Sequence, residues 1–105
     1  GQTRDFVYVD DVVESLVAAA TASDVDRRII NVGSGRETSI NELAVLVAKV
    51  VGRGVEVLHS PAESGGVSHL CADIAIAKKL LIYEPHVDLT QGLRLTLEQD
   101  PRFQR

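Results

Sequence analysis

The sequence has no methionine, no tryptophan and a single cysteine. Each shortage narrows the reading. One thiol, Cys71, makes neither an internal disulfide nor a cysteine cluster for zinc, so a reducing, cytoplasmic setting is expected. Basic residues are the minority, with Lys+Arg 11 against Asp+Glu 15 and a net charge of -4. That balance argues against nucleic-acid and anionic-membrane partners, since both demand a basic stripe. No apolar run approaches the roughly 20 residues that span a bilayer, and no signal-peptide pattern opens the chain. Lacking Met, the sequence begins at Gly1. Removal of an initiator before Gly explains that, and so does a cut from something longer. The second is the expectation carried forward, because Gln2–Tyr8 reads as a strand with nothing leading up to it.

What is present is an ordinary folded composition, 45% hydrophobic and 25% charged, over 105 residues. That length predicts a single domain over residues 1–105, burying roughly 60–70% of its unfolded surface. There is no internal repeat and no low-complexity tract. Asp5–Val9 (DFVYV) reads as a strand, rich in β-branched and aromatic residues. Asp11 is the predicted N-cap of a first helix, with Glu14 at the box position and an apolar stripe of Val12, Val13, Leu16, Val17 and Ala20. Arg28–Val32 (RIINV) reads as a second strand, apolar enough for burial on both faces. Ser39 and Glu42 form an S-x-x-E box before a helix striped by Ile40, Leu43, Ala44, Val47, Val50 and Val51, closed by Gly52. Val55–His59 alternates as a third strand. Asp73 is the predicted cap of a third helix containing Ile74, Ala77, Leu80 and Leu81. Asp88 caps a fourth with Leu89, Leu93 and Leu97 in line, and Pro101 marks its end. The order is β-α-β-α-β-α-α, an α/β layer arrangement. Three short strands make a poor sheet alone, which predicts missing neighbours or neighbours from another chain.

Candidate chemistry is sparse. Gly33-Ser34-Gly35 precedes a helix, where backbone N–H groups can cradle phosphate. Thr38, however, stands at the third glycine position of a dinucleotide fingerprint, and Leu58-His59 stands where a ribose-binding acid is needed. A tight turn before a capped helix is the simpler reading. Arg4 beside Gln2 and Thr3 can hold a diphosphate through bidentate, charge-assisted hydrogen bonds, or can pair with Asp5 or Asp10 at the surface. His59, His69 and His86 lack metal-ligand spacing, so no metal site is expected. Cys71 has no basic neighbour nearer than His69 and reads as a bystander. Ser34, Ser39, Ser60 and Ser64 have no nucleophile-elbow context. Lys78-Lys79 suits a helix C-terminus. Neither Tyr8 nor Tyr83 has a lysine four residues on; those positions hold Val12 and Val87.

Three blocks together carry a family resemblance. They are Gln2–Asp11 (QTRDFVYVDD), Asn31–Gly35 (NVGSG) with the S-I-N-E-L helix start at Ser39–Leu43, and Ala72–Pro85 (ADIAIAKKLLIYEP) with Leu89–Leu97. In this order they resemble the C-terminal, substrate-binding part of the extended short-chain dehydrogenases/reductases, specifically the NAD-dependent epimerases/dehydratases of nucleotide sugars. The resemblance implies the C-terminal portion of a Rossmann-type fold, truncated and oligomeric. It implies a cytoplasmic protein without the glycine-rich NAD fingerprint or the catalytic Tyr-x-x-x-Lys pair, so no catalytic residue, no cofactor in this chain (NAD in the full-length family) and no activity alone. It maps the family's diphosphate-binding arginine onto Arg4, with Gln2 nearby. It maps the family's R-x-G-D phosphate loop onto Glu63-Ser64-Gly65-Gly66, where Glu63 replaces the arginine and Gly66 the aspartate. Glu63 would repel a diphosphate. Ile82 stands where the family has glycine. The expected ligand is a UDP- or dTDP-linked sugar, held weakly. The alternatives are a stand-alone oligomerising interaction module, pairing as a homo-oligomer in place of the missing Rossmann half, and a fragment of a full-length enzyme.

Overall fold

The computed structural model describes residues 1–52 and 68–103. Along them run β1 (Thr3–Arg4), α1 (Val9–Thr21), β2 (Thr38–Ser39), α2 (Ile40–Val51), α3 (Ala75–Leu81), α4 (Leu89–Gln99) and a closing 3-10 turn at Pro101–Phe103. This is an α/β arrangement in which helices dominate a small sheet. β1 and β2 are antiparallel, with Thr3 opposite Ser39 and Arg4 opposite Thr38. On its other side Thr3 makes a parallel bridge to His69. There the Thr3 N–H donates to the Ser68 carbonyl at 2.8 Å, and the Leu70 N–H to the Thr3 carbonyl at 3.3 Å. β1 is therefore the middle of three extended segments drawn from distant parts of the chain.

Two expected strands are corrected. Asp5–Val9 and Arg28–Val32 form no ladder, and the helix has already begun at Val9. A β-branched segment becomes a strand only when a neighbour supplies carbonyl and N–H partners, and no described segment pairs with these two in a ladder. Ile29, expected inside a sheet, is 92% exposed. The third expected strand, Val55–His59, lies outside the described residues.

Asp11 does not cap α1. The N-cap is Tyr8, with no side-chain bond, and Asp11 lies inside the helix with 2% exposure. Burying a carboxylate is costly unless donors reach it. Here the N–H groups of His86 and Val87 do so, at 3.0 and 3.1 Å. The inner face of α1 is thus Asp11, Ser15, Ala18, Ala19 and Ala22, small enough for close approach to α3. Most of the expected stripe points outward instead: Val13, Leu16, Val17 and Ala20 are exposed and Val12 is half-buried.

The local signals of α2 hold. Ser39 Oγ accepts from the Glu42 N–H at 3.0 Å, and the Glu42 carboxylate accepts from the Ser39 N–H at 3.2 Å. Gly52 closes the helix at φ 84, a left-handed conformation that favours glycine. α2 packs on α4, yet none of its residues is fully buried and Ile40, Val47 and Val51 remain exposed. α3 starts one residue later than expected: Ile74 is the N-cap position and joins the core, while Asp73 Oδ1 accepts from the Ala75 N–H at 3.1 Å. The buried core is Ile74, Ala77, Leu81 and Tyr83. α4 is capped as expected, with Asp88 Oδ1 accepting from the Gln91 N–H at 2.8 Å. No helix among the described residues is long and apolar enough to cross a membrane.

Candidate functional site

The segment Gln2–Asp5 and the turn Gly33–Gly35 meet through one carboxylate. Asp5 accepts from the Ser34 N–H at 2.8 Å, the Ser34 hydroxyl at 2.6 Å, the Gly35 N–H at 3.0 Å and the Ala72 N–H at 3.1 Å. Burial alone would raise its pKa, but these donors outweigh it and hold the carboxyl below its usual value. Gly33 is required by the closeness of this approach. A Cβ there would stand 2.7 Å from Asp5 Oδ2 and 2.8 Å from the Ala72 Cβ. The Gly33 carbonyl in turn accepts from the buried Tyr83 hydroxyl at 2.7 Å.

This geometry decides between the two readings of the glycine pair. The N–H groups of Ser34 and Gly35, which a phosphate would need, are already filled by an internal anion. A bound pyrophosphate would meet the Asp5 charge. The turn therefore does not fit the pyrophosphate of NAD.

Arg4 is half-buried beside this staple. Its Nη1 donates to the Thr3 carbonyl at 2.6 Å and to the Ser68 carbonyl at 3.4 Å. A guanidinium has five N–H donors in a fixed fork, and the described residues take up only part of that capacity. Neither Asp5 nor Asp10 forms an ion pair with Arg4, which removes the surface-pair alternative. Gln2 contributes through its backbone: its carbonyl accepts from the Ile40 N–H at 3.0 Å and so ties β1 to the start of α2. Glu63, Ser64, Gly65 and Gly66, with His59 and Ser60, lie outside the described residues.

On the Thr3 side, three polar groups converge. The Thr3 hydroxyl donates to Glu37 Oε1. His69 Nδ1 lies 3.0 Å from Thr3 Oγ1 and 3.2 Å from Glu37 Oε1. The Thr3 hydrogen bond first, and His69 after it, hold the Glu37 carboxyl below its usual value. Cys71 is exposed. Partial desolvation and the nearby Asp5 and Glu37 carboxylates push its thiol up, away from the reactive thiolate. His86 Nε2 lies 3.7 Å from Glu14, both exposed. Lys78 and Lys79 occupy the last turn of α3 as expected. Tyr8 OH donates to Gln99 Oε1 at 3.1 Å. Burial first, and then the Asp11, Asp5 and Glu14 charges, push the Tyr83 hydroxyl up. Among the described residues no group of three or more His, Cys, Asp or Glu is placed to hold a metal. Two clefts of about 460 and 290 Å³ adjoin along α2 and α4, sharing Phe6, Val87, Asp88 and Leu89; Arg4 lines neither.

Sequence reasoning singled out Arg4 but missed Asp5, Asp11 and Tyr83 as structural ties, and missed the meeting of Thr3, Glu37 and His69. One signal was available. Acids set within the apolar run D-F-V-Y-V-D-D-V-V must either face water or find donors.

The family model described as "NAD dependent epimerase/dehydratase family" matches residues 1–33. The UDP-glucose 4-epimerase of Mycolicibacterium smegmatis is 38% identical over 96 residues, covering 91% of this chain and 30% of that protein. The UDP-glucuronate 4-epimerase of Thermodesulfobacterium geofontis is 32% identical over 97 residues, covering 91% and 29%. Among solved structures, the UDP-glucose 4-epimerase of Thermotoga maritima with UDP-glucose superimposes with a TM-score of 0.84 at 38% identity, covering 92% of this chain and 31% of that one. The UDP-glucuronic acid 4-epimerase of Bacillus cereus, in complex with UDP-glucuronic acid and NAD, gives 0.79 at 33% identity, covering 88% and 30%. The chain thus spans about 30% of the length of the relatives it matches.

Proposed function

From the premise that this chain carries a segment of the NAD-dependent epimerase/dehydratase family, we propose that it contributes a contact to the diphosphate of a nucleotide sugar and performs no chemistry alone. Arg4 is the contact. One observation carries the reading: among the described residues no carboxylate pairs with Arg4, since the adjacent one, Asp5, is fully engaged by backbone donors and Ser34. A half-buried guanidinium whose fork the described residues engage only in part favours an oxyanion that accepts two parallel bonds. The UDP-sugars in the solved relatives support a UDP-linked sugar as the ligand. The tyrosines support the proposed lack of chemistry: both hydroxyls are engaged in hydrogen bonds within the fold, and neither has a lysine one turn on.

Titrating UDP-glucose into the 15N-labelled chain tests this. Amide shifts centred on Thr3–Asp5 are expected, and Arg4→Ala moves their midpoint to higher ligand concentration. No shift at millimolar ligand refutes the reading. A second reading, self-association, is favoured by the outward stripe of α1, where Leu16 and Val17 are 64% and 65% exposed. Sedimentation of a Leu16→Glu variant separates the two, since it dissolves an oligomer and leaves the Arg4 shifts in place.

A further inference from the structure

The group of Thr3, Glu37 and His69 belongs to none of the roles assigned above, and its hydrogen-bond arithmetic is restrictive. The Thr3 hydroxyl has one hydrogen, and it goes to Glu37. The Glu37 carboxylate only accepts. His69 Nδ1 faces both oxygens, at 3.0 and 3.2 Å, so Nδ1 must carry the hydrogen that these contacts share. Its tautomer is thereby fixed, with Nε2 left bare when the ring is neutral.

The three residues come from three segments. Thr3 is in β1, Glu37 immediately precedes β2, and His69 lies on the segment bridged in parallel to β1. That last segment carries the Ser68 carbonyl, which receives both the Thr3 N–H and the Arg4 Nη1. Thr3 and Arg4 are neighbours in an extended strand, so their side chains leave opposite faces. The polar group on one face therefore sets the spacing of the carbonyls that brace the guanidinium on the other.

We propose that His69, through Glu37 and Thr3, is a positioning residue for Arg4, holding residues 68–70 against β1 so that the guanidinium is presented to an anionic ligand in one orientation. This rests on the diphosphate reading given above. His69 itself does not touch the ligand. The side-chain group adds to the backbone bonds that hold Ser68 and Leu70 on Thr3, and an arginine that must first be ordered binds less tightly.

The test is a double-mutant cycle on UDP-glucose affinity, measured by NMR titration of the full chain, with uridine as a probe that lacks the diphosphate. Arg4→Ala alone is expected to weaken UDP-glucose about tenfold. His69→Leu is expected to weaken it roughly threefold or more in the parent, and to have no effect in the Arg4→Ala background. Uridine binding should be unchanged by either. His69→Asn, whose amide can donate from nearly the position of Nδ1, should restore the parent affinity; mere loss of packing would not be rescued in this way. Ligand-free long-range 1H–15N spectra at pH 8 should place the ring proton on Nδ1. A proton on Nε2, or equal losses from His69→Leu in both backgrounds, overturns the proposal while leaving Arg4 as the contact. If Arg4→Ala has no effect, the diphosphate reading falls, and the positioning role falls with it.

Discussion

Replacing Ile82 with glycine should stabilise this protein, although the change removes a large apolar side chain. Ile82 follows α3 with φ 51 and ψ 36, in the left-handed region. For a β-branched L-residue that conformation brings Cβ against the following carbonyl, at a cost of about 1–2 kcal/mol. The chain accepts it because α3 must turn sharply there. The Tyr83 N–H reaches back to the Ala77 carbonyl at 3.2 Å, which leads the Tyr83 ring into the core. The side chain of Ile82 offers little in return, being 84% exposed. Glycine relieves the clash and loses almost no burial, but gives the unfolded chain more freedom, worth about 0.4–1 kcal/mol. The balance is a gain of roughly 0.5–1 kcal/mol, or about 2–8 °C in Tm for a domain of this size. Thermal unfolding followed by circular dichroism at 222 nm reads it. Ile82→Ala serves as the comparison, since it trims the side chain and keeps the Cβ. A glycine variant no more stable than the alanine variant would show that the left-handed backbone is not the source of strain.

Gly33→Ala should be destabilising by about 2 kcal/mol, because its Cβ would overlap Asp5 and Ala72; urea unfolding measures the loss, and a change under about 0.5 kcal/mol contradicts the close approach. Asp11→Ala should cost about 2 kcal/mol by stranding the His86 and Val87 N–H groups, and hydrogen exchange at those two amides should accelerate. Acid should weaken the fold through Asp5. Its folded-state pKa lies below the usual value of about 3.9, so its contribution is complete above that pH and is lost as pH falls through the folded value. Glu37, and Asp100 held at about 2 by Arg102, act with the same sign. Asp5→Asn should therefore start less stable at pH 7 and lose less between pH 4 and pH 2.5. An unchanged acid slope would exclude Asp5 from the transition.

Whatever the chain encodes within four residues was legible. The Ser39–Glu42 box, the Asp88 cap and the Gly52 terminus each depend on a side chain and a backbone group in the same turn. What depends on distance was not. Asp11 reads locally as a helix cap, and its real partners lie 75 and 76 residues away. Asp5 reads as a mate for Arg4, yet it spans 29 residues to Ser34 and 67 to Ala72. The composition of Asp5–Val9 and Arg28–Val32 favours strands correctly as propensity. A ladder also needs a second chain segment, which composition does not supply. The same holds for α1, whose apolar stripe is regular in sequence while Asp11 and the alanines determine which side faces inward. Arg4 was singled out by pattern. That Asp5 does not pair with it could be established only once the donors around Asp5 had been located.

The long reach of Asp11 sets a schedule for synthesis. Its carboxylate is satisfied only by backbone 75 and 76 residues downstream. At about 5–20 residues per second, those donors emerge roughly 4–15 s after Asp11 itself. During that interval the inner face of α1 has no tether. This segment is thus most exposed to off-pathway association before residue 87 is made, and holdase chaperones should be needed earliest around α1.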